Sequence, residues 1–395
     1  MTHTLIIPSW YPSSPDEVAG CFFREQALAL QKAGCRVGVI CPYLYSLRDW
    51  RHLFTRQRGL YIEMDLDVPT YRWHATNWFP KSVRMLIKQL VHYGHRLFKI
   101  YVQRHGVPDV LHIHGVLYAG VLGKFISEKY QIPYVITEHS SIYARGLITT
   151  TQREAAISAV GNAAKLIAVS EEFCRLLDRF YRLPIGAWEY IPNIVSGAFL
   201  SVNDIKQKCH RGFTFITVCL LTPNKATDCL LRAFARAFSG VKNVRLRVGG
   251  DGPERPDLQV LANQLSIDTQ VEFLGMLSRG QVQHYISDSD AFVLSSRYET
   301  FGVVLVEATA LGKPVIATRC GGPESIVSDG DGYLVEVDDV EALAIAMIRL
   351  VDNIERFDPQ LIRNRCAQRF SEDAVTTQLR EVYREVVHSN SRVRT

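Results

Sequence analysis

No stretch of this 395-residue sequence approaches the roughly 18 consecutive apolar residues that a spanning helix needs. The N-terminal apolar run, Leu5-Ile6-Ile7, stops at Pro8 and is far too short for a signal peptide. A cytoplasmic protein is therefore expected. Cysteine is poor in pattern: nine residues, an odd number without a CxxC pair, stand at positions such as Cys35, Cys219 and Cys320 that read as strand or core sites. Reduced, buried thiols are favoured over a disulfide framework or a zinc site. Low-complexity tracts are missing too, and 47% apolar with 22% charged residues is an ordinary globular balance, with disorder expected only at residues 391–395.

Acidic residues are absent from residues 68–108, which carry Arg72, Lys81, Arg84, Lys88, Arg96, Lys99 and Arg104. The overall charge is +5, and its distribution is uneven. Up to Ser196 there are 22 Lys+Arg against 15 Asp+Glu, or +7; beyond it there are 23 against 25, or −2. Within the basic stretch Val83, Leu86, Ile87, Leu90, Leu97 and Tyr101 recur at helical spacing, preceded by Trp73, Trp78 and Phe79. Two readings stand side by side: an interfacial helix on an anionic membrane surface, or an ordinary helix packed on a core, with Gly94 weakening its continuity. Nucleic-acid recognition motifs are missing, so the basic excess does not point to DNA or RNA.

A chain of this length exceeds what one hydrophobic core usually supports, so two domains are expected. Short β-branched runs at 4–7, 35–40, 110–114, 134–137 and 166–169, separated by helix-length stretches including 21–33, read as parallel strands with crossovers. The segment 192–212 lacks periodicity and reads as a connection. The same grammar returns in strands at 213–219, 244–248, 271–274, 291–294 and 314–317, with helices from Asp228 and Phe301. Domains at 1–196 and 197–370 follow, with a last helix from residue 371 that packs back on the first domain. In doubly wound sheets a ligand binds at the carboxyl ends of the strands.

The most informative stretch is Ser296-Arg297-Tyr298-Glu299-Thr300-Phe301-Gly302-Val303-Val304-Leu305-Val306-Glu307, followed by Gly312-Lys313-Pro314 and Gly321-Gly322. It reads as strand, tight loop and helix, with Thr300 as N-cap, Gly312 as stop, and the helix starting right after Glu299. A helix N-terminus offers amides and positive dipole to a phosphate, and Gly302 lets a diphosphate come close. Glu299 can accept from hydroxyls on one side of that phosphate. Glu307, about 9 Å further along at ~1.5 Å per residue, can do so on the other. The carboxylates stand too far apart for a paired-carboxylate glycosidase.

This segment resembles the E-x7-E signature of the family-four, group 1 retaining glycosyltransferases, which have the GT-B fold: two Rossmann-like α/β domains facing a central cleft. The resemblance implies that Glu299 holds donor sugar hydroxyls, Glu307 the ribose, and the amides of Phe301, Gly302 and Val303 the distal phosphate. It further implies that Lys225, in Thr222-Pro223-Asn224-Lys225, neutralises the donor diphosphate. The family's arginine position is Leu220 here, and its two glycines are Cys219 and Ala226; Arg297 is one candidate for the missing charge, an exposed surface arginine the other reading. Gly249-Gly250-Asp251-Gly252-Pro253-Glu254 resembles the family's GDGP turn and serves as scaffold for the donor loop. The loop after residues 271–275 is where the base would lie on backbone groups, leaving UDP against GDP unreadable.

In the first half, His139 of Thr137-Glu138-His139-Ser140 resembles the family's active-site histidine. Gly20 matches a glycine that approaches the donor phosphate, with Ala19 in place of a frequent second glycine. His112 and His114 read as core histidines, and with no nearby ligand set a metal is declined. Val169-Ser170-Glu171 and Ile191-Pro192-Asn193 extend the resemblance over nearly the whole chain.

The expected activity is metal-independent, retaining transfer of a hexose-type sugar from a UDP- or GDP-sugar, with no cofactor. The expected acceptor is a lipid-linked or growing envelope glycan, reached from the cytoplasmic face of the inner membrane. The rivals are a GT-B epimerase or phosphorylase-like enzyme and a non-catalytic nucleotide-sugar-binding subunit. The latter would be expected to lack His139 or one glutamate.

Overall fold

The computed structural model describes residues 1–14, 17, 20–47, 58–202 and 212–394. Ala19 and residues 203–211 of the connection lie outside the described residues. The chain divides into two units. Unit 1 comprises Met1–Val169, Cys174–Ile191 and the chain from Val375 onward; unit 2 comprises Ser170–Phe173 and Pro192–Ala374.

Unit 1 is built on a sheet whose strands, among the described residues, are β1 (His3–Pro8), β2 (Arg36–Ser46), β3 (Gly59–Asp65), β4 (Val68–Asn77), β5 (Val110–His114), β6 (Tyr134–Glu138), β7 (Lys165–Ala168) and β8 (Trp188–Tyr190). Their order is β3-β4-β2-β1-β5-β6-β7-β8, with β3 alone antiparallel to its neighbour. The central strands β1, β5 and β6 are buried along their whole length, as parallel strands covered on both faces must be. The order reverses between β1 and β5, and the chain leaves both of those strands, and β6, on the same side.

Helix α1 (Cys21–Lys32) follows β1, and α2 (Val83–His105) follows β4. The α2 helix runs unbroken through Gly94, contrary to the weakening expected there. A Cβ at Gly94 would lie 2.3 Å from Leu122 Cδ2, so glycine is what lets α2 close on α3 (Val121–Tyr130). Packing outweighs the intrinsic helix cost of about 1 kcal/mol. The two ends of α2 differ: Leu97, Phe98 and Tyr101 are buried, whereas Val83, Leu86, Ile87 and Leu90 are only half-buried beside exposed Arg84 and Lys88. Trp78 and Phe79, just before it, are 58% and 43% exposed. Trp73 is instead in β4, stacked on Tyr93 and under the Arg96 guanidinium.

Helices α4 (Thr150–Val160) and α5 (Glu171–Tyr181) complete the crossovers of unit 1, α5 beginning within unit 2, and α6 (Gly197–Leu200) is a single turn. Unit 2 carries a fully parallel sheet of β9 (Phe213–Val218), β10 (Val244–Gly249), β11 (Val271–Gly275), β12 (Ala291–Leu294), β13 (Val315–Thr318) and β14 (Gly332–Val335), in the order β11-β10-β9-β12-β13-β14. Its core gathers Phe215, Leu230, Phe234, Leu246, Val248, Val293 and Met347. Around it lie α7 (Thr227–Phe238), α8 (Arg255–Gln264), α9 (Arg279–Ser287), α10 (Val303–Ala310), α11 (Val340–Asp352) and α12 (Pro359–Phe370). Here the order reverses at β9 and β12, so the loops leaving those two strands adjoin.

The last helix, α13 (Glu372–Arg394), starts in unit 2 and belongs to unit 1 from Val375. Val375, Leu379, Val382, Tyr383 and Val386 form a buried stripe at helical spacing. Lys165 of β7 reaches Glu385 at 3.5 Å.

Candidate active site

In unit 2 the loops after β9 and β12 bring Lys225 and Glu299 together. Lys225 Nζ donates to Glu299 Oε1 at 2.5 Å, and Ser296 Oγ donates to the same oxygen at 2.7 Å. The loops are also tied through their backbones: Arg297 N donates to Asn224 O at 2.7 Å, Asn224 Nδ2 to Tyr298 O at 2.9 Å, and Ser295 Oγ to Lys225 O at 3.0 Å. Burial pulls the Lys225 ammonium down, but the Glu299 charge and hydrogen bond, with smaller help from Cys219 and Cys320, lift it above its ordinary value. The lysine is thus held as a cation.

Glycine decides how closely the supporting loops approach. A Cβ on Gly322 would lie 2.1 Å from Phe301 O, and Gly322 N donates to Glu299 O at 2.8 Å. The Gly321-Gly322 pair therefore carries the backbone on which Glu299 sits. On the other side Gly250, at φ +115°, presses its backbone against Cys219 O, while Leu221 N donates to Asp251 O at 2.9 Å. The Gly249-to-Glu254 turn thereby supports the loop that carries Lys225.

Helix α10 corrects the expected start. Its N-cap is Gly302, at φ 107°, not Thr300, and the helix begins at Val303. The three residues between Glu299 and Val303 stay non-helical, and Glu299 itself pairs through its backbone with Cys320, Gly321 and Gly322. No side chain caps this terminus, which leaves first-turn amides directed at whatever lies before the helix. At the other end the glycine stop is as expected: Gly312 has φ +70°, and Lys313 N donates to Ala308 O at 3.0 Å.

Glu307 is the fifth residue of α10 and is 1% exposed. Its Oε1 accepts from Arg279 Nη1, a partner the sequence reading missed. Arg279 opens α9, where a cation opposes the helix dipole. That local conflict was the available signal. Arg297, by contrast, is directed to Asp338 (2.8 Å), Asp228 (3.7 Å) and the Pro223 carbonyl, and Leu220 is exposed.

In unit 1 the β1, β5 and β6 ends gather Gly20, His112, His114 and His139. Gly20 caps α1 at φ 77°, and a Cβ there would lie 2.7 Å from Trp10 Cδ1. Phe23 of α1 meets the rings of both His114 and His139, at 5.0 and 4.9 Å. His114 Nδ1 and His139 Nε2 are hydrogen-bonded at 3.0 Å. His112, its ring tilted against that of His114 with centroids 4.1 Å apart, bonds Tyr383 Oη of α13 at 2.5 Å and Thr137 Oγ1 at 2.8 Å.

Glu138, to which sequence reasoning gave no role, is 1% exposed and accepts from the amides of Val116, His139 and Ser140 (2.7, 2.8 and 2.8 Å) and from Tyr143 Oη at 3.1 Å. Burial raises its carboxyl despite these bonds. It fixes the backbone on either side of His139.

Burial lowers the His112 imidazole to about 3 and His114 well below its ordinary value. In the unfolded chain these rings take a proton near 6.5, so between pH 6.5 and about 3 the unfolded state binds more protons, and stability falls as pH falls. Urea unfolding should lose about 1.4 kcal/mol per pH unit from His112 alone in that window. His112→Asn, which cannot titrate, should flatten the slope by that amount; an unchanged slope would sink the assignment.

Comparison with known proteins gives the same architecture. The profile of the glycosyl transferases group 1 matches residues 203–365, and that of the glycosyl transferase 4-like domain matches residues 19–194. A putative teichuronic acid biosynthesis glycosyltransferase of Bacillus subtilis is 29% identical over 372 residues, 87% of this chain and 88% of the relative. A lipopolysaccharide core biosynthesis glycosyltransferase of Rhizobium meliloti is 36% identical over 149 residues, 36% of this chain and 41% of its own. Among solved structures, sucrose-phosphate synthase of Thermosynechococcus elongatus superposes with a TM-score of 0.77 at 21% identity, covering 98% of this chain and 99% of that one. Anabaena HepE, solved with UDP and glucose, gives 0.70 at 19% identity over 97% and 99%. The fold is GT-B.

Proposed function

Because the chain belongs to the group 1 glycosyltransferases, we propose that it transfers a hexose-type sugar from a UDP- or GDP-sugar, with retention and without a metal ion, onto a lipid-linked or growing envelope glycan. The observation that carries this reading is the Lys225–Glu299 pair set before the uncapped N-terminus of α10. A cation and a row of amides suit a leaving diphosphate, and a carboxylate beside them suits sugar hydroxyls. In this reading Glu299 orients the sugar, Glu307 takes the ribose, and the amides of Phe301, Gly302 and Val303 take the distal phosphate. Lys225 stabilises the charge that grows on the leaving group while that group helps deprotonate the acceptor. His139 and Gly20 take the family's remaining roles, the sugar-side histidine and the phosphate-side glycine.

The acceptor class draws on the relatives: the Bacillus subtilis protein is named for teichuronic acid biosynthesis and the Rhizobium meliloti one for lipopolysaccharide core biosynthesis. The deciding experiment is nucleotide release from a panel of UDP- and GDP-sugars with acceptor-containing lipid extract, run in EDTA. Release and glycan labelling with one donor are expected in chelator. Turnover only after Mn²⁺ or Mg²⁺ is added would overturn the metal-free reading, and donor binding without any transfer would favour the non-catalytic subunit.

The same proposal places unit 1 on an anionic membrane surface. No helix among the described residues is long and apolar enough to cross a membrane. The first half of α2, however, keeps its apolar residues only half-buried beside Arg84 and Lys88, with Trp78 and Phe79 exposed ahead of it. Each basic residue near such a surface contributes about 1 kcal/mol. Sedimentation should show binding to anionic but not neutral vesicles, lost at high salt and on neutralising Arg84, Lys88 and Lys99. Equal recovery in both supernatants would leave α2 as a core-packing helix.

A further inference from the structure

In unit 2 a buried carboxylate and a guanidinium nearer solvent form an ion pair, of which the function proposed above uses only the carboxylate. Glu307 accepts at Oε1 from the Arg279 guanidinium. The two side chains do not share one depth: Arg279 keeps 20% of its side-chain surface and Glu307 1%. A ligand that reaches the carboxylate from solvent therefore meets the guanidinium beside it.

The arginine works against its own helix. Ser278 caps α9, its Oγ accepting from Gln281 N at 3.4 Å while Gln281 Oε1 accepts from Ser278 N at 2.9 Å. With that capping box in place, a cation in the first turn only opposes the helix dipole. Its position is fixed from outside. The guanidinium lies 5.3 Å from the ring centre of Phe199, a buried residue of α6. That turn is tied to α9 by Gln283 Nε2, which donates to Ala198 O at 2.7 Å, and to α12 by Arg363, which donates to the carbonyls of Leu200 and Val202. A planar fork held in this way loses little freedom when it bonds a ligand.

We propose that Arg279 is a specificity-determining residue of the donor site: together with Glu307 it reads the vicinal 2′- and 3′-hydroxyls of the donor's ribose. An ionised carboxylate only accepts hydrogen bonds and a guanidinium only donates them, whereas each hydroxyl of a vicinal diol can do both. The pair offers the diol an acceptor and a donor side by side; a lone carboxylate would offer only the first. The sheet places it suitably, since Lys225 follows β9, Arg279 follows β11, and Glu299 and Glu307 follow β12, all at the carboxyl ends of parallel strands. That a nucleotide binds there rests on the function proposed above; the part of Arg279 in reading its ribose is the added step. A nucleotide without the 2′-hydroxyl leaves a charged group of the pair without that bond.

The test is calorimetric titration of the full chain with UDP, GDP and their 2′-deoxy counterparts. The wild-type chain should bind one of the two ribonucleotides about 10- to 100-fold more tightly than its deoxy form. In Arg279→Gln that ratio should fall below about 3-fold, through lost affinity for the ribonucleotide, while the deoxynucleotide binds nearly as before. Loss of packing alone would weaken both forms alike and leave the ratio in place, and that result overturns the proposal. Arg279→Lys keeps a cation beside the buried carboxylate and so keeps the fold; without the planar fork its ratio should also drop, by about 3-fold or more. A lysine variant with the wild-type ratio likewise overturns the proposal. Discrimination lost in Glu307→Ala but kept in both Arg279 variants would leave the donor site standing and remove Arg279 from it. A wild-type chain that binds neither ribonucleotide would strike the donor site itself, and the proposal with it.

Discussion

Lys225→Ala is expected to lower transfer by about 10²–10³-fold while leaving the protein folded. The lysine sits in a short loop between β9 and α7, half-buried, and its ammonium meets the Glu299 carboxylate at 2.5 Å. Removing it takes away the cation paired with Glu299, just before the uncapped start of α10. The effect on stability should be small, because the pair retains contact with solvent and because Ser296 Oγ continues to hold Glu299 Oε1. Glu299→Gln should lose a similar share of transfer, since an amide keeps the shape but not the charge that Lys225 opposes. Arg297→Ala is the contrast: its guanidinium is committed to Asp338 and Asp228, so transfer should stay near normal. The measurement is nucleotide release at saturating donor, with thermal unfolding alongside. Near-normal turnover in the Lys225 variant would remove that residue from the diphosphate site.

Arg279→Leu should destabilise the chain by about 3 kcal/mol. The reason is the partner it leaves: Glu307 is 1% exposed, and a carboxylate at that depth without its guanidinium is an uncompensated buried charge. The same substitution paired with Glu307→Leu should recover most of the loss, because a pair removed together leaves no orphan. Donor binding would not recover, since Glu307 is the carboxylate proposed for the ribose. Urea unfolding of the two single variants and the double variant completes the cycle. A cost below about 0.5 kcal/mol for Arg279→Leu, the level of an ordinary surface change, would mean that the ion pair is incidental.

The run from Ser296 to Glu307 could be read directly because it compresses loop, helix and both carboxylates into consecutive residues just after β12, and the spacing of a helix is a property of local chain geometry. The parallel strands were legible for a related reason: a strand buried on both faces must be continuously apolar, as in Leu5-Ile6-Ile7 and Ala291-Phe292-Val293-Leu294. Less could be seen of β3 and β4. The middle of β4, Thr70 to His74, alternates polar with aromatic residues, and Trp73 belongs to the sheet rather than to the group before α2 with Trp78 and Phe79. The start of α10 was misplaced by two residues because Thr300 is a good cap in isolation. Cys320 and Gly322, some twenty residues away, pair with the backbone of Glu299 and hold the chain extended just before that point.

What the sequence alone determined is the alternating α/β grammar and a helix start with Glu299 before it and Glu307 within it. These follow from periodicity and from spacing within a single segment; Lys225 was singled out by the family resemblance. Tertiary structure decided which distant groups meet. Lys225 and Glu299 are 74 residues apart and touch because β9 and β12 are neighbours at the point where strand order reverses. Arg279 finds Glu307, and Tyr383 finds His112 across 271 residues, through packing that no local pattern encodes. Hydrogen-bond partners for a buried charge or imidazole are chosen by three-dimensional proximity, so the pairing of His114 with His139 is a property of the folded sheet and not of the Glu-His pair in the chain.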